Sequence, residues 1–278
     1  MRKIILYIIY GDDQGYYDEA KFSILTFKYW IKDNDIEIVV LTEKPYEFEG
    51  YGVNVISMSD EKKDEWSLNG KYHFRIKNRG LAFVMDNLKL QFDDKILFFD
   101  SDTYFHKSPL PLFDLITPNQ ALFYLNEGFI YKRKRFDVFV KNLEGKKIEI
   151  EGQKYELSKK SALWGSLMVG IMPNMRSSLE WSDLLMQKFY KMIPAHTIEP
   201  FSLSESLLRN YNLVEGKGFV SLYSTSRKKK YARNILTNFF EETKFLNLDE
   251  KVLIAQKIKI RRPLYVILAQ RFMRIFNN

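Results

Sequence analysis

The chain opens on IILYIIY at residues 4–10, an unbroken apolar run closed by Gly11, which predicts a strand buried on both faces. Residues 18–33 place Phe22, Leu25 and Tyr29 at helical spacing, so a helix is expected there. A second strand is read at 36–41 (IEIVVL) and a short third at 53–57. Residues 74–90 carry Leu81, Val84 and Leu88 on one helical face, and 95–99 (KILFF) forms a fourth, strongly apolar strand. This strand–helix–strand rhythm predicts an α/β fold, a mostly parallel sheet with helices on both faces. The later part is less regular. Residues 120–125 and 167–171 read as strands, 177–193 as a helix, 199–210 as helical towards its end, and 144–157 as a hairpin or an insert. No repeat or Gly/Ser linker divides the chain, so one domain over 1–250 with an appendage at 251–278 is expected.

With 46% hydrophobic and 28% charged residues in 278, including 22 Phe and 17 Tyr, the chain has ample material for a core and is neither disordered nor fibrous. No run approaches the roughly 18–20 apolar residues of a spanning helix. Gly11-Asp12-Asp13 follows the first apolar run where a secretory signal would carry a small-residue cleavage site, so that run reads as a core strand. The absence of Cys rules out disulfides, thiolate metal sites and a cysteine nucleophile, and is compatible with a reducing cytosol. The net charge of +8 is unevenly placed. Seven of the 43 bases and none of the 35 acids lie in 251–278, which leaves 36 bases against 35 acids before them. A nucleic-acid enzyme would spread positive charge along a groove in its body, so no nucleic-acid partner is expected.

The most informative segment is KILFFDSDTYF at 95–105. Residues i and i+2 at a strand end project to one side, so Asp100 and Asp102 can face one point. That point lies beyond the carboxyl end of a strand, where open α/β sheets bind ligands. Two hard oxygen donors there suit Mg²⁺ or Mn²⁺ held jointly with substrate phosphates. Asp33 and Asp35 have the same spacing but precede their strand, where turn chemistry suffices.

With its preceding strand, Asp100-Ser101-Asp102 resembles the metal-binding motif of GT-A fold, nucleotide-sugar-dependent glycosyltransferases. The context is similar in order: YIIYGDDQGYY (7–17) to the first strand and nucleotide loop, FRIK (74–77) to a donor-contacting helix, PLPLFD (109–114) to the continuation. WGSLMVG (164–170) resembles the strand lining the acceptor side, and HTIEPFSLSE (196–205) the acidic loop and helix after it. The resemblance covers roughly residues 1–225. It implies a single GT-A (Rossmann-like) domain with a UDP-sugar donor and a metal held most directly by Asp102, with Asp100 contacting the ribose, or the metal through water. Ser101 would lie against the nucleotide, and Tyr10, Gly11, Asp12 and Tyr17 would form the base and ribose pocket. Arg75 would meet phosphate oxygens, as would Arg227 and Lys228 in the basic run 227–230. Trp164, Gly165 and Ser166 would line the acceptor. Glu199, with Glu205 as its substitute, would stand near the reacting carbon, as general base or as stabiliser of charge on the ring.

Many relatives place a metal-binding His in a late loop, and the matching stretch here, residues 220–226, has none. Two carboxylates with water and diphosphate would then hold the ion, or His106 or His196 substitutes, or metal dependence is weak. Residues 251–278 interleave apolar residues with bases around Pro263, the composition of an amphipathic helix on an anionic membrane surface. The resulting expectation is a cytoplasmic glycosyltransferase held peripherally at the inner face of the cell membrane, with a glycan or glycolipid acceptor. A degenerate scaffold of the same fold and a metal-dependent nucleic-acid-binding protein are the competing readings.

Overall fold

The computed structural model describes residues 1–31 and 35–260; the Asp33–Asp35 decoy in part, and the tail from 261, lie outside them. β1 (Lys3–Ile9) leads into α1 (Gln14–Lys28), β2 (Ile36–Thr42), β3 (Asn54–Ser57) and α2 (Asp60–Trp66). α3 (Arg75–Asn87) precedes β4 (Lys95–Phe99) and the two-residue β5 (Thr103–Tyr104). β6 (Gln120–Phe129), α4 (Asp137–Leu143) and the hairpin β7 (Ile148–Ile150) and β8 (Gln153–Tyr155) come before β9 (Ala162–Ile171). The described chain finishes with α5 (Arg176–Phe189), α6 (Ile198–Leu208), β10 (Asn212–Glu215), β11 (Ser221–Leu222), α7 (Ser226–Glu242) and α8 (Leu248–Ala255).

Seven strands form one sheet in the order β10-β6-β9-β4-β1-β2-β3. All neighbours run parallel except β9, which is antiparallel to both β4 and β6. The chain winds outward from β1 through β2 to β3, then returns on the other side of β1 as β4, so the strand order reverses between β1 and β4. A crevice opens at such a reversal, beyond the carboxyl ends of the strands. The alternation of β1 explains why both its faces are apolar. Ile4, Leu6 and Ile8 enter the core layer under α3 and α6, whereas Ile5, Tyr7 and Ile9 enter the layer under α1. Helix α3 lies close to the sheet at Gly80, where a Cβ would come within 2.8 Å of the Ile8 side chain and 2.9 Å of Leu41.

β1, β2 and β4 stand within a residue of the apolar runs that predict them, whereas β6 runs four residues past its expected end, β9 starts five before its expected start, and β10 falls where no strand was expected. α1 starts four residues before the expected position because the Asp13 carboxylate accepts the Gly15 amide at 2.9 Å and caps it there. The uncertain 144–157 stretch contains the β7–β8 hairpin. The line expected at 250/251 falls inside α8, whose Val252 and Ala255 are buried with Phe22 and Leu25 of α1.

Candidate functional site

A pocket of about 800 Å³ opens at the carboxyl ends of β1 and β4. Tyr10 and Gly11 reach it directly from β1, and Asp100, Ser101 and Asp102 from β4. The registers Ile4↔Ile96 and Leu6↔Phe98 keep these strand ends level, so the backbone alone brings the two loops together. Gly11 turns there with φ +94°, a conformation that favours glycine, and its amide donates to Glu43 at 2.6 Å. The late stretch 220–226 also arrives here: β11 pairs antiparallel with β5, and the Tyr223 amide donates to the Asp102 carbonyl at 3.2 Å.

Two lysines organise the carboxylates. Lys77, in the first turn of α3, lies 3.1 Å from Asp100 and 3.5 Å from Glu199, and donates to the Ser166 carbonyl at 3.2 Å. Burial opposes the Lys77 charge, but Asp100 and Glu199 outweigh it and hold the ammonium above its ordinary pKa. Lys229, in the first turn of α7, lies 3.2 Å from Glu19 and 3.4 Å from Asp102. Glu19 is fully buried on α1, where it accepts a second ion pair from Arg233 at 2.8 Å and a hydrogen bond from Ser101 at 3.2 Å. Burial pushes the Asp100 carboxyl well above the usual range; Lys77 opposes this, and the charges of Asp102 and Glu199 add to it. Glu199, at the N-terminal end of α6, accepts from the Ser166 hydroxyl at 2.8 Å. Burial raises its pKa against the pull of Lys77 and Ser166. Asp102 Oδ1 and Glu199 Oε1 are both buried without a hydrogen-bond partner, and both residues line the pocket.

Of the residues singled out in the sequence, Tyr10, Gly11, Asp100, Ser101, Asp102, Gly165, Ser166 and Glu199 line the pocket. Others point elsewhere. The Tyr17 ring is buried under α1 and its hydroxyl donates to the Gly11 carbonyl, whereas the neighbouring Tyr16 faces the pocket. Asp12 is exposed and pairs with Lys44 at 3.5 Å. Trp164 packs on Phe123 with ring centroids 6.1 Å apart, and Glu205 is buried in hydrogen bonds from Tyr155 and Ser161. Arg227 and Lys228 are exposed on α7 outside the pocket lining. His196 stands at the pocket mouth, whereas His106 shares a hydrogen bond with Ser221 outside the lining. Among the described residues no group of three His, Asp or Glu is gathered for a metal.

Arg75 is turned away completely. Its guanidinium meets Asp183 of α5 through Nε at 2.5 Å and Nη2 at 2.8 Å, with both side chains under 10% exposed. Removing one partner of a buried pair costs about 3–5 kcal/mol. Arg75→Met is therefore expected to lower the melting temperature steeply while leaving the UDP affinity of the folded protein unchanged. A variant that melts normally yet binds UDP at least tenfold more weakly would return Arg75 to the phosphate site.

Lys77 and Glu19, to which the sequence reading gave no role, share a signal with Lys229, which it had placed near the diphosphate only as one of the basic run 227–230. Lys77 lies four positions before Leu81 and seven before Val84, on the stripe read as the core face of α3. Glu19 stands three before Phe22 on α1, and Lys229 three before the buried Ala232 on α7. A charged residue that continues an apolar stripe past the edge of the core points at the site.

No family model matches the chain, and no curated protein matches it in sequence. Among solved structures, the galactosyltransferase LgtC in complex with donor and acceptor sugar analogues aligns over 94% of this chain and 98% of its own, at 14% identity and a TM-score of 0.53. Mouse xyloside xylosyltransferase 1 aligns over 77% of this chain and 85% of its own, at 10% identity and a TM-score of 0.47. A glycosyltransferase involved in glycosylating the major capsid of PBCV-1 also aligns at 10% identity and 0.47, over 85% of this chain and 100% of its own. The likeness to LgtC defines the fold: the chain has a Rossmann-like α/β fold of the GT-A type.

Proposed function

We propose that the chain transfers a sugar from a nucleotide diphosphate sugar, UDP-linked, to a hydroxyl of a glycan or lipid-linked glycan. The observation that carries this reading is the pair Asp100 and Asp102 facing buried Glu199 across one pocket at the strand reversal. A divalent cation, Mn²⁺ or Mg²⁺, fits the donor set: Asp100 and Asp102 offer hard oxygens, and Asp102 Oδ1 is buried with no partner of its own. Two carboxylates completed by substrate phosphates and water are the usual hold on such an ion. When bound, it neutralises charge developing on the leaving diphosphate.

The chain's own groups supply the rest. Tyr10 and Tyr16 offer ring faces to the nucleotide, and Gly11 lets the backbone approach it. Lys229 can exchange part of its pairing with Glu19 and Asp102 for a phosphate oxygen, as a point charge. Ser166 and Lys77 hold Glu199 in one orientation and leave its Oε1 free for the acceptor side. In a reaction with inversion that oxygen takes the acceptor's hydroxyl proton; with retention it stabilises positive charge on the sugar ring. The test is calorimetric titration of UDP with Mn²⁺ and with EDTA, followed by a screen of UDP-sugars for turnover. Binding without turnover on any donor would favour the scaffold reading, and no binding of any nucleotide would overturn the proposal.

A peripheral membrane position is part of the same reading. Phe245 is 95% exposed and Leu253 46%, beside Lys244, Lys257 and Lys259. No helix among the described residues is long and apolar enough to cross a membrane. Four further arginines lie at 261, 262, 271 and 274. Each base near an anionic surface is worth about 1 kcal/mol. The full chain is expected to float with phosphatidylserine vesicles at low salt, and a chain ending at residue 260 to do so at least about tenfold less. Equal flotation would remove the tail from the proposal.

A further inference from the structure

The far end of the pocket is bordered by the last residues of β6. The register between β6 and β9 shifts twice, between Phe123 and Leu125 and between Asn126 and Gly128. Such irregularities re-aim side chains, and here Glu127 lines the pocket. The sequence then turns basic: Lys132, Arg133, Lys134 and Arg135 are consecutive and all exposed. Three of them fold back on this strand end. Arg135 reaches the Glu127 carbonyl and carboxylate, each at 2.9 Å, and so neutralises the acid on the rim. The Arg133 side chain covers Gly128, whose φ is +119° and where a Cβ would come within 2.9 Å of the guanidine Nε. Lys132 lies over the half-exposed Phe129 ring, 5.0 Å from its centroid.

The turn carrying Lys159 and Lys160 lies alongside, tied by the Ile130 amide to the Ser161 carbonyl at 2.9 Å. Glu144 and Glu156 influence Tyr131 in the same region, but neither comes within salt-bridge distance of these bases. Among the described residues, Lys132, Arg133, Lys134, Lys159 and Lys160 have no carboxylate partner. Five cations without a carboxylate partner among the described residues therefore lie on the segments flanking this strand end, where Glu127, the acid that lines the pocket, is already paired.

We infer that the acceptor is an anionic glycan, whose phosphate or carboxylate groups rest on Lys132, Arg133 and Lys134 while its sugar enters the pocket past Phe129. This deepens the glycosyl-transfer reading and rests on it. A guanidinium and two ammonium groups on one rim suit repeated singly charged groups along a chain, and an exposed aromatic face beside them suits the apolar face of a sugar ring.

The test measures binding of a polygalacturonate oligomer, a glycerol-phosphate oligomer and a neutral dextran of equal length by affinity electrophoresis, with UDP titrated on the same samples. The wild-type chain is expected to hold one or both anionic oligomers at least about tenfold tighter than dextran. The advantage should shrink at least tenfold in Lys132→Gln/Arg133→Gln/Lys134→Gln, with UDP affinity unchanged. Lys132→Gln/Lys134→Gln, which keeps the Arg133 contact with Gly128, should lose part of it. The two oligomers distinguish phosphate from carboxylate. Equal binding of dextran and both anions, or an anionic preference intact in the triple variant, overturns the inference. So does equally tight, variant-sensitive binding of a single-stranded oligonucleotide, since the rim would then select charge without sugar. UDP binding with no anionic preference removes only the acceptor class. Anionic preference without any nucleotide binding removes the transfer reading beneath it.

Discussion

Asp102→Asn is expected to lower turnover at least about a thousandfold and to abolish the difference between UDP binding in Mn²⁺ and in EDTA. The substitution keeps the shape of the side chain and removes its charge. Asp102 is only 7% exposed, and its Oδ1 is buried without a hydrogen-bond partner from the chain, an arrangement that is costly for a carboxylate and that a bound cation would relieve. The other oxygen faces Lys229 at 3.4 Å. If Asp102 served only to anchor Lys229 and so fasten α7 to the domain, the variant would lose melting temperature and keep its metal response. Calorimetry with and without the ion, beside a thermal melt, separates the two. Metal-dependent binding that persists in a stably folded variant would sink the assignment.

Glu199→Gln is expected to cost a factor of about 10²–10⁴ in turnover, the usual range for a positioned acid–base group. UDP affinity should change less than about twofold, because Glu199 is not among the groups placed on the ion or the nucleotide and meets Asp100 only through the shared Lys77 ammonium. Glutamine can still accept from Ser166, so the fold should survive. Glu205→Gln serves as the control and should leave turnover within about threefold, since that acid bonds Tyr155 and Ser161 away from the pocket lining. The pH dependence has a definite sign. Burial raises the Glu199 pKa, with Lys77 and Ser166 opposing, and the reaction needs the ionised form. Turnover in the wild type should therefore fall as pH drops through a value above the ordinary glutamate range, and in the residual activity of Glu199→Gln that limb should change, leaving the part set by Asp100, whose carboxyl burial also raises. An acid limb unchanged in the variant would assign the titration to another group and remove Glu199 from the chemistry.

The two variants test residues that stood out for different reasons. Asp100 and Asp102 were legible because they follow an apolar run that reads as a buried strand, and the direction of the chain puts them at its carboxyl end. Glu199 was legible only through the resemblance of its surroundings to a known family; nothing in its own spacing distinguishes it from Glu205. The structure separates the two on one helix. Glu199 stands in the first turn of α6, open to the pocket, and Glu205 two turns on, under the β8–β9 turn.

Local patterns and counts were enough for the alternation of strands and helices, the place of the carboxylate pair and the charge asymmetry of the tail. Each of these follows from a period of two or 3.6 residues, or from a count, and needs no distant partner. Which cations face the pocket depends on contacts between distant segments. Arg75 and Lys77 are two residues apart, so they project from nearly opposite sides of α3. Asp183, 108 positions further along on α5, takes Arg75 and leaves Lys77 to Asp100 and Glu199. Likewise Glu19 on α1 draws Lys229 inward through a contact more than 200 residues distant, while Arg227 and Lys228 remain in solvent. A helix fixes the angles between its own side chains, but its rotation about its axis is set by what it packs against, and that partner is encoded elsewhere in the chain.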